Sequence, residues 1–244
     1  MKLKYLYLFI AVSAFIACTK NFDGRTAEQT SLAKKSYIRF YAGSLAAARN
    51  FIEIDNMRLN GSPLSMGGVF PGTSTVTAFS VIDPGLKTIK IYDSLITTIQ
   101  APLSVSQNFE GGQYYTIYSH DTSNAVKALV TNDIFNIPTD TTASVKFVNI
   151  IYSSSVIPNI DLFSRRKGAN IATNIPRLGS SAYIPHLTGV SDTLDIRATG
   201  TMTNLATLNA FTFNAKRVYT VVFRGRYEST TGTMTRNLNV IATY

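Results

Sequence analysis

Alternating apolar and polar residues run through most of the chain after its first 36 positions and predict short β-strands. The alternation is clear in residues 88–92, 194–197 and 238–242, and successive side chains of a strand point to opposite faces of a sheet. The segments are rich in Thr, Val, Ile, Tyr and Phe, which favour strands. Turn signals such as Asn60-Gly61 and Gly111-Gly112 separate them. The pattern predicts an all-β fold.

Three short motifs occur twice in the same order, about 105 positions apart. Ile38-Arg39-Phe40 recurs as Val145-Lys146-Phe147, an apolar–basic–Phe motif. The remaining pairs are Ile52-Glu53-Ile54 with Ile160-Asp161-Leu162, and Tyr115-Thr116-Ile117 with Tyr219-Thr220-Val221. Conserved order and nearly constant spacing indicate an internal duplication.

The duplication predicts two homologous domains, 37–136 and 144–244, joined by a polar linker, 137–143. Roughly seven short strands in each repeat predict two tandem immunoglobulin-like β-sandwich domains. No alternation of strands with helices is visible, which argues against a parallel sheet. A Tyr that opens a late strand of such a sandwich often ties the backbone at a corner, and we expect this role for Tyr115 and Tyr219.

The same motifs resemble a family of secreted bacterial domains, domain of unknown function 4397, often found in tandem in lipoproteins of the Bacteroidetes. The resemblance covers most of residues 37–244 and rests on the apolar–basic–Phe strand, the strand with a central acid, and the Tyr-Thr-apolar strand. The loop after the first strand departs from the family pattern in both repeats. The resemblance implies a sandwich-like extracytoplasmic module and brings no active site.

The N-terminal segment is typical of a bacterial lipoprotein. Lys2 and Lys4 precede an apolar run that ends in Phe15-Ile16-Ala17-Cys18, which is similar to a lipobox. We therefore expect a signal peptide at 1–17, a membrane lipid anchor on Cys18, and a flexible tether over 18–36. The alternative is a structural Cys in an ordinary signal peptide. In such lipoproteins an acidic residue after the Cys favours the inner membrane; Thr19 is not acidic and favours the outer membrane, on its periplasmic or cell-surface face.

The positive charge of the chain is concentrated in the second repeat. The net charge is +9, but residues 37–136 sum to −1 and residues 144–244 to +7. The second repeat could attract an anionic polysaccharide or a protein partner, whereas a solvated basic face without a ligand is the alternative. Nucleic acid is disfavoured because an exported protein does not meet it routinely and only 15% of residues are charged. The candidate contact residues are Arg165, Arg166, Lys167, Lys216, Arg217, Arg224 and Arg226.

Catalytic chemistry finds little support in the sequence. The chain's two histidines, His120 and His186, occupy unrelated positions in the repeats, and no Gly-x-Ser-x-Gly elbow occurs. Glu53 and Asp161 recur at equivalent positions, which favours an architectural role. One Cys and two His exclude an ordinary Cys/His zinc cluster, and no Asp-x-Asp-x-Asp run suggests calcium. We expect no catalytic residue, no metal and no cofactor.

These observations predict a non-catalytic cell-envelope lipoprotein that serves in binding, adhesion or envelope assembly. The alternative is an accessory glycan-capture lipoprotein of a nutrient-uptake system. Tyr92, Tyr114 and Tyr118 are the candidates for a stacking surface that would favour this alternative.

Overall fold

A computed structural model describes residues 32–45, 49–95 and 102–244. A short 3-10 helix spans Leu32–Lys34, and Lys35–Tyr244 forms one compact unit. Cys18, the predicted signal peptide and most of the predicted tether lie outside the described residues. No helix within the described ranges is long and apolar enough to cross a membrane.

Strands make up the regular structure of both repeats. The first repeat contains β1 Ser36–Ala42, β2 Asn50–Ile54, β3 Met57–Arg58, β4 Val69–Phe70, β5 Ser80–Ile82, β6 Gly85–Asp93, β7 Leu103–Phe109, β8 Tyr114–His120 and β9 Lys127–Asn132. The second contains β10 Ala143–Asn149, β11 Ile160–Ser164, β12 Ala169–Ile175, β13 Ile184–His186, β14 Asp192–Ala198, β15 Asn204–Phe211, β16 Val218–Arg224 and β17 Asn237–Ala242. The all-β sandwich prediction is confirmed.

Both repeats use the same strand order. One sheet of the first repeat runs β4-β1-β8-β9, with β5 also paired to β1, and the other runs β3-β2-β6-β7. The second repeat has sheets β13-β10-β16-β17 and β12-β11-β14-β15. In each repeat the first strand pairs in parallel with a late strand, β1 with β8 and β10 with β16. These sheets are therefore mixed, with both parallel and antiparallel neighbours. The sequence reasoning did not predict the parallel pairs, because each pair joins strands that are far apart in the chain.

Each sandwich has its own apolar core between its two sheets. In the first repeat, Ile38 and Ile117 of one sheet face Ile52 and Ile89 of the other. In the second, Phe147 and Val221 face Leu162 and Ile196. The alternation read from the sequence therefore selects the residues of both cores.

A third cluster joins the sandwiches to each other. Tyr41 and Tyr118 of the first repeat pack with Val148, Val222 and Ile241 of the second. Strands β1, β8, β10 and β16 are consequently buried on both faces. The outward sides of two sheets, which solvent would cover in separate sandwiches, form a common interface.

Candidate functional site

The interface between the sandwiches is built around a buried carboxylate, Asp133. Lys146 Nζ lies 3.0 Å from Asp133 Oδ1, and Arg39 Nη2 lies 3.9 Å from Oδ2. Thr116 Oγ1 donates to Asp133 Oδ2 at 2.5 Å, and Thr131 Oγ1 donates to Oδ1 at 3.1 Å. Arg39 and Lys146 are the equivalent basic residues of the repeated apolar–basic–Phe motif, so both copies of the motif direct a cation at one acid.

Arg39 also reaches across to the last strand of the second sandwich. Its Nη1 donates to the carbonyl of Ala242 at 2.9 Å, and its Nη2 donates to Thr243 Oγ1 at 3.2 Å. Only 1% of Arg39 and 4% of Lys146 are exposed. A buried charge is tolerated when it is paired and hydrogen-bonded. These basic residues therefore hold the sandwiches together and are not available to a ligand.

The repeated tyrosines have the architectural role expected of them. The backbone N–H of Glu110 donates to Tyr115 Oη at 3.0 Å, and that of Asn214 donates to Tyr219 Oη at 3.1 Å. Each tyrosine thus fixes the backbone five positions upstream, and the corner prediction is confirmed. Asp161 is likewise buried and accepts a hydrogen bond from the backbone N–H of Asn174 at 2.7 Å.

Both histidines are buried, and His186 is not arranged as in a hydrolytic triad. His186 Nε2 lies 3.0 Å from Asp192 Oδ2, and Ser164 Oγ donates to the same oxygen at 2.5 Å. Asp192 stands between the other two groups, whereas a hydrolytic triad needs the histidine beside the nucleophile. Burial lowers the pKa of His186. His120 lies buried at the end of β8.

The predicted basic residues divide between the two ends of β16. Lys216 and Arg217 precede the strand, while Arg224 and Arg226 lie at and beyond its far end. Seven residues of strand span about 20 Å. Lys216 and Arg217 are therefore far from Arg224 and Arg226, although the four residues are close in sequence. They do not form a single basic face.

The Arg165-Arg166-Lys167 turn lies at the Lys216 end of the second sandwich. Arg166 Nη1 donates to the carbonyl of Thr188 at 3.1 Å, and Thr188 Oγ1 donates to that of Thr141 at 2.5 Å. The backbone N–H of Lys216 donates to the carbonyl of the following residue, Thr142, at 2.8 Å. Both basic groups thus border the polar segment that precedes β10.

Most of these cations already have partners within the protein. Arg165 forms a two-pronged pair with Asp195 at 2.7 and 3.0 Å, and this pair raises the pKa of Arg165. Lys167 Nζ donates to the carbonyl of Pro185 at 2.8 Å. Arg224 Nε donates to Asn239 Oδ1, and Arg226 Nε lies 3.5 Å from Glu228 Oε2. Within the described ranges, the side chains of Lys216 and Arg217 form no ion pair.

The stacking surface proposed for Tyr92, Tyr114 and Tyr118 does not form. Tyr118 has 0% exposure and packs in the interface between the sandwiches. Tyr92 lies on β6, in the other sheet, where its hydroxyl donates to Glu53 Oε1 at 2.7 Å. Burial, followed by the hydrogen bond to Glu53, raises the pKa of Tyr92. Tyr92 contacts only the Phe51 ring among the described aromatic side chains, at 6.0 Å, whereas Tyr114 belongs to a larger aromatic group.

This larger group consists of six aromatic side chains among the described residues, and both sandwiches contribute to it. The Tyr114 ring stacks on Tyr37 at 4.6 Å and contacts Phe79 at 5.0 Å and Phe135 at 5.3 Å, measured between ring centroids. Phe135 in turn contacts Tyr183 at 5.8 Å and Tyr244 at 6.0 Å. We call these rings the aromatic cluster. Sequence reasoning missed it because its members are far apart in the chain and follow no repeat.

Two clefts adjoin the regions just described. The linker cleft, of about 570 Å³, runs beneath the segment that connects the repeats and includes Tyr183 of the aromatic cluster; its other lining residues include Ile134, Pro138, Asp140 and Pro185. The edge cleft, of about 510 Å³, lies beside β17 and includes Phe211 and Arg217 of the second repeat and residues 74–77 of the first. Binding sites for small ligands usually have volumes in this range.

Comparisons with known proteins add no family. No family model matches the chain, and no curated protein matches it. Among solved structures, it is similar to CBMbc (family CBM26) from Eubacterium rectale Amy13K, crystallised in complex with maltoheptaose. The identity is 9%, the match covers 86% of this chain and 97% of that chain, and the TM-score is 0.24. A likeness at this TM-score carries no argument about the present chain.

Proposed function

We propose that this protein is a non-catalytic cell-envelope lipoprotein that acts as a binding, adhesion or envelope-assembly module. Cys18 would anchor it in the outer membrane, and the tether would hold the sandwiches away from the lipid. The observation that carries the proposal is that both sandwiches contribute to the aromatic cluster and to the edge cleft. Preformed surfaces are suited to recognition, because little conformational freedom is lost on binding.

The anchor is tested by metabolic labelling with radioactive palmitate followed by membrane fractionation. The full chain should incorporate label and sediment with the outer membrane, because several acyl chains hold a protein stably in a bilayer. The Cys18→Ala variant should lose the label and leave the membrane fraction. Thr19→Ala, which retains the acceptor thiol, is the matched control and should behave like the parent chain. A Cys18→Ala variant that stays with the membrane would refute the anchor.

The second candidate function is glycan capture, and the aromatic cluster favours it. Tyr and Phe side chains offer a large, rigid apolar surface at low entropic cost, and Tyr244 at the end of the cluster is 43% exposed. Transport-receptor genes beside the gene for this protein would support the same candidate.

A glycan array probed with the full chain, at about 50 and about 200 mM salt, tests this candidate, because electrostatic binding weakens with salt and stacking does not. Binding of neutral glycans that survives the higher salt and is lost in Phe135→Ala would support glycan capture. Phe135→Ala is chosen because its ring contacts three others of the cluster. Its thermal transition serves as the folding control. Binding that disappears at the higher salt would instead favour an electrostatic partner.

A further inference from the structure

The edge cleft lies where the first sandwich crosses an open edge of the second. Strand β17 is the last strand of its sheet, and the backbone N–H of Ala242 donates to the carbonyl of Ser74 at 2.7 Å. Residues 74–77 therefore line the cleft from the first repeat, while Phe211, Thr212 and Arg217 line it from the second. Tyr219, Val240 and Ala242, which belong to or pack on the second core, line the cleft between them. Neither repeat could form this cleft alone.

The charge of the cleft suits an anion. Arg217 is exposed, and within residues 32–45, 49–95 and 102–244 no acidic side chain pairs with it or lines the cleft. Lys216 lies next to it in sequence and is also exposed. The guanidinium group presents paired donors whose spacing matches the two oxygens of a carboxylate. A ligand carboxylate at Arg217 would therefore gain a partner that the protein itself does not supply.

The remaining walls combine an aromatic ring with many hydroxyl and amide groups. Phe211 is half-buried and held edge-on by Phe213 at 4.8 Å and Tyr219 at 5.9 Å. The hydroxyl-bearing residues around it are Ser74, Thr75, Thr77 and Thr212, and Asn214 adds a side-chain amide. The Tyr219 hydroxyl accepts from the backbone N–H of Asn214 and so fixes this side of the rim. Such a lining matches a ligand with hydroxyl groups on its edge and an apolar ring face.

We propose that the edge cleft binds a uronic-acid unit of an acidic oligosaccharide. Its carboxylate pairs with Arg217, its ring face lies against Phe211, and its hydroxyl groups bond with the threonine side chains. The inference rests on the proposed binding function and adds to it a site and a ligand class. It also assigns a role to one of the predicted basic residues, while the basic turn at 165–167 has none in this site.

Isothermal titration calorimetry of the full chain, purified in detergent, with trigalacturonic acid tests the proposal. The methyl-esterified trisaccharide is the matched probe, because it has the same rings without the charge. In about 150 mM salt, where charges more than about 8 Å apart are screened, the acid should bind at least about tenfold more tightly than the ester. The Arg217→Gln variant should lose that advantage, and Phe211→Ala should weaken both probes.

Lys216→Gln is the control variant, since it removes the same charge one position away without altering the lining of the cleft. It should bind the acid within about twofold of the parent chain. The proposal would be overturned if the parent chain bound the acid and the ester equally tightly. It would also be overturned if Arg217→Gln bound the acid as tightly as the parent chain, or if Arg217→Gln and Lys216→Gln lost the same affinity for it. No binding of trigalacturonic acid by a folded parent chain would overturn it as well. None of these results would affect the palmitate and glycan-array tests, which report on the proposed function separately.

Discussion

At the scale of single residues, the most important feature is that several charged and polar side chains are buried. Arg39 and Lys146 look like ordinary strand cations in the sequence, and both share Asp133 in the structure. His120 is similar: it is only 3% exposed, and within the described part of the chain its Nδ1 has no hydrogen-bond partner. A buried group of this kind responds to pH more strongly than one on the surface.

His120 should make the protein sensitive to acid. Burial lowers its pKa from 6.5 to about 4, with the nearby Asp121 carboxylate opposing the shift and Arg177 and Lys127 adding to it. Between these two values the unfolded chain binds the proton and the folded chain does not, so the free energy of unfolding falls as the pH falls from 6.5 to about 4. Above this window the group contributes no pH dependence.

The measurement is the thermal midpoint at about pH 7.5 and about pH 4.5. The parent chain should lose more stability between these values than His120→Gln, which cannot titrate. His186, whose pKa is also lowered, should preserve part of the acid sensitivity in that variant, and His186→Gln tests this share. The prediction is wrong if His120→Gln and the parent chain show the same decrease.

At the scale of elements, the important fact is that the central strands serve two interfaces at once. Alternate residues of β1 and β10 point into separate cores, and the residues between them point into the shared interface. Gly43, immediately after β1, lies at this interface, against Ile150 of the second sandwich. A Cβ there would lie 2.4 Å from Ile150 Cδ1 of the second sandwich and 2.5 Å from the Ser119 carbonyl oxygen.

Replacing Gly43 by Ala should therefore disturb both sandwiches. Extra volume in a well-packed interior costs about 1–3 kcal/mol, and we expect that loss in the free energy of unfolding measured with urea. Gly61→Ala is the matched control, because a Cβ at Gly61 meets nothing within 4 Å; its effect should stay within about 0.5 kcal/mol. Equal stabilities of the two variants would show that the interface relaxes around the methyl group.

At the scale of the whole molecule, the two repeats are packed against each other. Residues Lys35–Tyr244 form one compact unit, held by the apolar interface cluster and by the Asp133 network. Tyr41 Oη adds a hydrogen bond to Asn239 Oδ1 at 3.1 Å across the same interface. Separation of the sandwiches would expose the valines at 148 and 222 and leave charged groups without their partners.

The sandwiches should consequently unfold together, and Asp133→Ala should weaken both. Removing one member of a buried ion pair costs about 3–5 kcal/mol, because the remaining charges stay buried without compensation. Scanning calorimetry should show one transition for the parent chain and one transition at lower temperature for Asp133→Ala. Asp83→Ala, which removes an exposed acid paired with Lys35, should shift the transition far less. Two resolved transitions in the parent chain would contradict this prediction.

The sequence by itself determined the strand class, the duplication and the corner role of Tyr115 and Tyr219. Each of these depends on local alternation or on a repeated motif, which the order of residues records directly. Only the tertiary structure decided which polar residues are free to bind. Tyr118 and Arg39 are buried, Arg165 is paired with Asp195, and Phe135, Phe211 and Arg217 lie on surfaces that both repeats share. The physical reason is that alternation separates the two faces of a strand but does not say which outward face another sheet will cover.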